Sequence, residues 1–242
     1  MKVLIIGNKF TSQMCTYLPA MAKAGGKELM LSNLTAGNTS VESHYRNYTD
    51  ENEVYTYETY LPSITEAMKP DGIALHEAVE DDDWDAVMLS QNIALGGIRE
   101  SYNPYLAELA AYCRLMHPQA EIILIEPWSY GPGCKKKAFA EAYNSDSEEM
   151  YEKISVSCQA AAQTAEADRI IHIGRAFQTA RKTQPGISLT TDGENADEAG
   201  RFLAACVIYR ALFNESAFGN PFRLPALPDE TDDLLRLVSE KI

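Results

Sequence analysis

Leu4-Ile5-Ile6-Gly7-Asn8-Lys9-Phe10-Thr11 (LIIGNKFT) is the stretch whose reading decides the fold. With Val3 in front, it opens as a run of four apolar side chains and breaks at Gly7-Asn8. A continuous apolar run bounded by glycine suits a strand covered on both faces, as in a parallel sheet. The segment therefore reads as a first strand emptying into a first loop. In open parallel sheets ligands bind beyond the carboxyl ends of the strands, which places Gly7, Asn8 and Lys9 at the expected site.

Working outward, the pattern predicts a helix over Gln13 to Lys23, stopped at Gly25-Gly26. A second strand follows from Glu28 to Leu34, and then a loop whose Gly37 lets a backbone amide approach a ligand. Val54 to Tyr60 alternates as a short edge hairpin strand, and Ile73 to Val79 reads as a helix. Trp84 to Ser90 is a third buried strand leading into Gln91-Asn92. A helix from Tyr102 to His117 ends at Pro118, and strand four, Glu121 to Ile125, empties into the aromatic loop Glu126 to Gly131. A long helix over Ser147 to Ala165 precedes strand five, Arg169 to Ile173, and a helix from Gly174 to Lys182. The loop Thr190 to Asn195 leads into a core helix, Ala196 to Phe213, and a proline-rich tail ends in a short acidic helix, Asp229 to Glu240. Strands alternating with helices at this spacing imply an α/β domain, a parallel sheet with helices on both faces. One domain is expected over residues 1–220, with 221–242 a tail packing on it.

The 242 residues are 45% hydrophobic and 23% charged, ordinary for a globular chain. A net charge of -14 repels phosphate backbones and anionic lipid, so neither nucleic acid nor a membrane is an expected partner. The one dense basic run, Lys135-Lys136-Lys137, reads as a solvated loop. Five scattered cysteines contain no CxxC pair and suit a reducing compartment. No transmembrane run is present, and the chain enters its first strand without room for a signal peptide, so a cytoplasmic location is expected. Gly26-Lys27 lacks the rest of a phosphate loop, and no GxGxxG follows the first strand, which argues against a nucleotide cofactor. Consecutive carboxylates at Asp81-Asp82-Asp83 point apart and lack a distal glutamate, so no metal site is expected there.

Four loops, Gly7-Asn8-Lys9, Gly37-Asn38, Ser90-Gln91-Asn92 and Asp192-Gly193-Glu194-Asn195, resemble in order and chemistry the four blocks of the SGNH (GDSL-type) hydrolases. The likeness is greatest to the branch with a GNSFS first block, the DUF4886 family. It runs through NLTAGNTSVESHY, SQNIALGG, PYLAELAAY, EPWSYG, IGRAFQTAR and LTTDGENADEAGRFLAACV. The resemblance implies a flavodoxin-like three-layer α/β/α sandwich with a five-stranded parallel sheet. It also implies acyl-ester hydrolysis: a block-one serine attacks, a histidine takes its proton, and an aspartate three residues before the histidine orients it. Oxyanion donors come from backbone amides near the nucleophile, the block-two glycine and a block-three side-chain amide.

Carried onto this chain, Gly37 and Gln91 would be oxyanion donors and Asp192 the aspartate. Lys9 stands at the nucleophile position and Asn195 at the histidine position. An amine forms no acyl ester, and asparagine is no base near neutral pH. The expectation is a catalytically degenerate, hydrolase-like protein that keeps a pocket for an ester, an acetylated sugar or a small anion. Lys9 is expected to ion-pair with Asp192 beside Asn195, or to bind an anion together with Gln91 and the Gly37 amide. Asn8 would border the pocket, Trp128 and Tyr130 would stack on a ligand, and His44 would stand on the rim. The alternative is an active carboxylesterase or acetylesterase with a non-standard nucleophile such as Thr11 or Ser12. Neither reading involves a cofactor, and neither indicates an oligomeric state.

Overall fold

The computed structural model describes residues 1–62 and 67–242. Strand β1, Lys2–Gly7, is buried from Val3 onward and forms the centre of the sheet. Strand β2, Met30–Thr35, pairs with it in parallel on one side, and β5, Ala86–Ser90, on the other. Beyond β5 come β6, Glu121–Glu126, and β7, Arg169–His172, both parallel. Beyond β2 lie two antiparallel strands, β3, Tyr55–Tyr60, and β4, Asp71–Ile73. The order is β4-β3-β2-β1-β5-β6-β7. Among the described residues the sheet therefore has seven strands rather than five, because the antiparallel pair β3 and β4 extends the parallel core. The three-residue β4 is exposed or half-buried, so no apolar pattern marks it, and the expected helix from Ile73 begins only at Leu75.

The strand pattern sends alternate side chains to two cores. Val3, Ile5, Met88, Ile123 and Ile125 join one cluster, and Leu4, Ile6, Val87, Leu89 and Leu124 the other. The first core is covered by α1, Lys9–Met14, α2, Leu18–Ala24, α8, Ile173–Thr183, α9, Glu198–Phe213, and α10, Asp229–Ser239. The second lies under α3, Val41–Thr49, α4, Leu75–Glu80, and α5, Tyr105–Met116. Helix α6, Lys137–Tyr143, packs on the start of α7, Ser147–Thr164, and α7 reaches both clusters, through Met150 and Ile154 at one end and Cys158 and Ala161 at the other. The segment after residue 221 ends in α10, which packs on α8 and α9.

The expected helix from Gln13 to Lys23 is two helices. Pro19 lies in the first turn of α2, where its missing N–H breaks no bond, whereas in a continuous helix it would interrupt the ladder. Helix α1 starts earlier than expected, directly at Lys9. Asn8 caps it, its side-chain oxygen accepting from Phe10 N at 3.0 Å. Gly7 is required here, since a Cβ would stand 2.1 Å from Thr11 Oγ1. The first loop is thereby reduced to a single turn, and α1 begins at the carboxyl edge of the sheet.

Candidate functional site

Three parallel strands end side by side, with Gly7 of β1 opposite Thr35 of β2 and Leu89 of β5 opposite Ile6. The loops that follow them meet the turn before α9 in a small cleft. Its walls are Lys9, Gln13, Asn38, Asn92, Glu194 and Asn195, with the buried Asn8, Phe10 and Ile93 behind. Its volume is about 10 Å³, roughly the space that one water needs.

The Asp192–Asn195 turn is closed on itself. Asp192 Oδ1 accepts from Asn195 N at 2.7 Å and Glu194 N at 3.0 Å, and Oδ2 accepts from Asn195 Nδ2 at 2.6 Å. These donors, the Asn195 backbone foremost, hold the Asp192 carboxyl below the usual carboxylate range, against a smaller opposing effect of desolvation. Gln13 ties the turn to α1: its Nε2 donates to Asn195 Oδ1 and to Lys9 O, each at 3.2 Å, while its Oε1 accepts from Ala196 N at 2.6 Å.

Lys9 does not join this network. Its side chain is exposed, and its ammonium has no hydrogen-bond or ion-pair partner among the described residues. Asp192 accepts three N–H groups of its own turn and lines a neighbouring cavity rather than the Lys9 cleft. The expected ion pair is absent.

Two of the expected oxyanion donors, the block-one amide and the Gln91 side chain, are bonded within the protein. Gly37, at φ +62°, turns its carbonyl onto Lys9 N at 2.7 Å, so the block-one amide is bonded within the protein. Gln91 is fully buried and faces inward: Oε1 accepts from Val41 N and Asn92 N, and Nε2 donates to Ser101 O and Oγ. The residue presented to the cleft from this loop is Asn92, whose Nδ2 donates to Asn38 O at 2.6 Å.

The remaining expected contacts lie in the interior. Trp128 is buried, stacked on Phe177 with centroids 4.6 Å apart and edge-on to Phe10, and its Nε1 donates to Glu194 O at 2.9 Å. Tyr130 is buried against Phe139. Both support the 192–195 turn from behind and present no face to a ligand. His44 is buried rather than on the rim, stacked on Tyr55 and bonded to its hydroxyl through Nδ1 at 2.9 Å. Burial pulls its imidazole down to about 3, opposed in part by the Gly7 backbone. Thr11 Oγ1 is buried, accepting from Asn8 N at 2.9 Å and donating to Asn33 Oδ1 at 2.7 Å. Ser12 Oγ accepts from Asn33 Nδ2 at 3.1 Å.

A family model described as a domain of unknown function, DUF4886, matches residues 2–237. The chain belongs to that family. A crystal structure of a DUF4886 family protein from Bacteroides uniformis superposes with a TM-score of 0.96 at 26% identity, covering 100% of this chain and 93% of that one. An inferred SGNH hydrolase from Slackia heliotrinireducens gives a TM-score of 0.61 at 18% identity, over 88% and 98% of the two chains. A lipase/acylhydrolase from Enterococcus faecalis gives 0.55 at 12% identity, over 88% and 95%. The fold is thus that of SGNH hydrolases. No curated protein matches the chain. No helix among the described residues is long and apolar enough to cross a membrane.

Sequence reasoning missed a buried polar chain beneath the cleft of this DUF4886 protein. Asn33 Nδ2 donates to Glu58 Oε2 at 2.9 Å, and Glu58 pairs with Lys69 at 2.8 Å. Through Thr11 the chain reaches the N-terminus of α1. The available signal was Ser32-Asn33 inside an apolar strand, polar groups that burial obliges to find partners.

Proposed function

We propose that this cleft binds a small anion on an SGNH-type scaffold that has dropped ester hydrolysis by the serine–histidine route. One observation carries the reading: Lys9 brings an exposed ammonium, without a counter-ion among the described residues, to the carboxyl ends of the strands. Around it stand the carboxamides of Gln13, Asn38, Asn92 and Asn195. The other charge in the cleft, Glu194, is neutralised by Lys136 at 2.8 Å. Among the described residues lining the cleft there is no hydroxyl, thiol or imidazole to act as nucleophile or base. The small volume favours a carboxylate or similar group resting at the mouth over an engulfed acyl chain or sugar.

Titration of ¹⁵N-labelled protein with acetate tests this. Saturable shifts at Lys9, Asn38 and Asn92, lost in Lys9→Gln, are expected, with no turnover of p-nitrophenyl acetate or butyrate above buffer. Absence of binding overturns the reading, as does turnover that disappears in Lys9→Ala.

A further inference from the structure

The opposite end of the sheet carries a cavity separate from the cleft. It lies where Leu29 leads into the amino end of β2 and where the antiparallel β3 ends at Tyr60. The length of β2 stands between the two, and its six residues of extended chain span roughly 20 Å. The cavity measures about 110 Å³, and its walls are Pro19 and Ala20 of α2, Leu29, Tyr60, Leu61 and Pro62. Leu29 belongs to the first core, and Tyr60 packs against that core. Apolar walls of this kind favour an apolar guest over water, and a dry cavity of about 150 Å³ takes up benzene.

The charged groups of the lining are of one sign. Both are lysines, and no carboxylate stands among the described residues that line the cavity. Lys27 is committed elsewhere, paired with Glu215 and lying over the Phe213 ring at 5.8 Å from its centroid. Lys23, in the last turn of α2, is exposed and has no hydrogen-bond or ion-pair partner among the described residues. Tyr60 adds a hydroxyl without a side-chain hydrogen bond among the described residues. Burial foremost, then the neighbouring Cys15 and Glu58, hold it above the usual phenol range, so it stays a donor. A chain of net charge -14 repels anions over most of its surface, and a free ammonium at the edge of an apolar recess reverses that locally.

We propose that this cavity is a second ligand site, for a small carboxylate that carries an apolar tail. The tail lies among Pro19, Leu29 and Tyr60, and the carboxylate meets the Lys23 ammonium at the rim. The site is independent of the Lys9 cleft, from which the sheet separates it.

Calorimetric titration at low ionic strength tests this in the Lys9→Gln protein, where the cleft takes no part. The ligands are the straight-chain carboxylates from acetate to octanoate, benzoate, and the neutral benzamide. The proteins are Lys9→Gln alone and with either Lys23→Gln or Ala20→Phe added. Ala20 and Lys23 are both exposed, so neither change disturbs a packed group. Affinity is expected to rise by about fourfold for each methylene that the cavity takes in. The rise should stop once the tail outgrows the space. Lys23→Gln should weaken the best carboxylate by about three- to fivefold and leave benzamide unchanged. Ala20→Phe, which fills the recess, should remove binding of both. Three results overturn the proposal: no saturable binding beyond that of acetate, binding that Ala20→Phe leaves intact, or a carboxylate that Lys23→Gln leaves as tight as before.

Discussion

Replacing Gln91 by leucine tests whether this side chain is an oxyanion donor or an internal brace. Gln91 is fully buried and bonded four ways: to Val41 N at 3.1 Å, Asn92 N at 2.8 Å, and Ser101 O and Oγ at 3.1 Å each. Leucine fills much of the same volume, so cavity formation adds little and the loss is chiefly polar. Two backbone N–H groups lose their acceptor, and each buried orphan costs about 1–3 kcal/mol. With the Ser101 contacts added, the expected destabilisation is about 3–5 kcal/mol. For a chain of this size each kcal/mol lowers Tm by about 2–4 °C, so a fall on the order of 10 °C follows. Urea denaturation followed by circular dichroism, with an unchanged m-value, gives the free energy directly. A loss below about 1 kcal/mol would refute the reasoning and return Gln91 to the cleft as a free donor.

Restoring the family residues with Lys9→Ser/Asn195→His should leave turnover of p-nitrophenyl acetate below about 1 s⁻¹. The Lys9 amide is held by Gly37 O and Gln91 by Ser101, and each missing oxyanion donor costs about 10²–10³ in rate. A faster double mutant would show that the closed donors open when an ester binds. Arg236→Met should cost about 3–5 kcal/mol in the same denaturation assay. Both Arg236 and Asp232 are buried and paired, and the guanidinium also holds the carbonyls of Ala217 and Phe222, so truncation strands a buried carboxylate. Adding Asp232→Ala should recover part of that loss. His44, held down at about 3, stays neutral when folded but protonates near 6.5 once unfolded. Its contribution is therefore complete above about pH 6.5 and falls as pH drops toward 3, with a limiting slope of about 1.4 kcal/mol per pH unit. His44→Gln should flatten that part of the stability–pH curve, and an unchanged curve would refute the assignment.

The parallel core of the fold was legible because the burial of β1, β5 and β6 on both faces leaves an uninterrupted apolar run in each. The grouping of the first loop, the Gly37 loop, the Gln91-Asn92 loop and the Asp192 turn was implied by the resemblance to the four SGNH blocks, and in the structure these segments adjoin one cleft. The pairing of β3 with β4 left no comparable trace, since an exposed three-residue strand is held by backbone bonds rather than side-chain pattern.

Side-chain direction was decided by competition that a linear sequence does not display. Lys9 and Asp192 were both identifiable as charged residues of the site. They do not pair: Asp192 accepts N–H groups of its own turn and lines the adjoining cavity, while Lys9 stands in the cleft. Gln91 and Asn92 are neighbours with the same functional group. Only the positions of Val41 and Ser101 decide that Gln91 turns inward while Asn92 reaches the cleft. Trp128 and Tyr130 were placed correctly in a strand-end loop, yet the packing of Phe10, Phe177 and Phe139 draws their rings into the core. Local sequence determined the parallel strands and the chemical identity of the loops. The tertiary structure decided which polar atoms remain unpaired, because hydrogen-bond satisfaction depends on groups as far apart in the chain as Gln13 and Asn195.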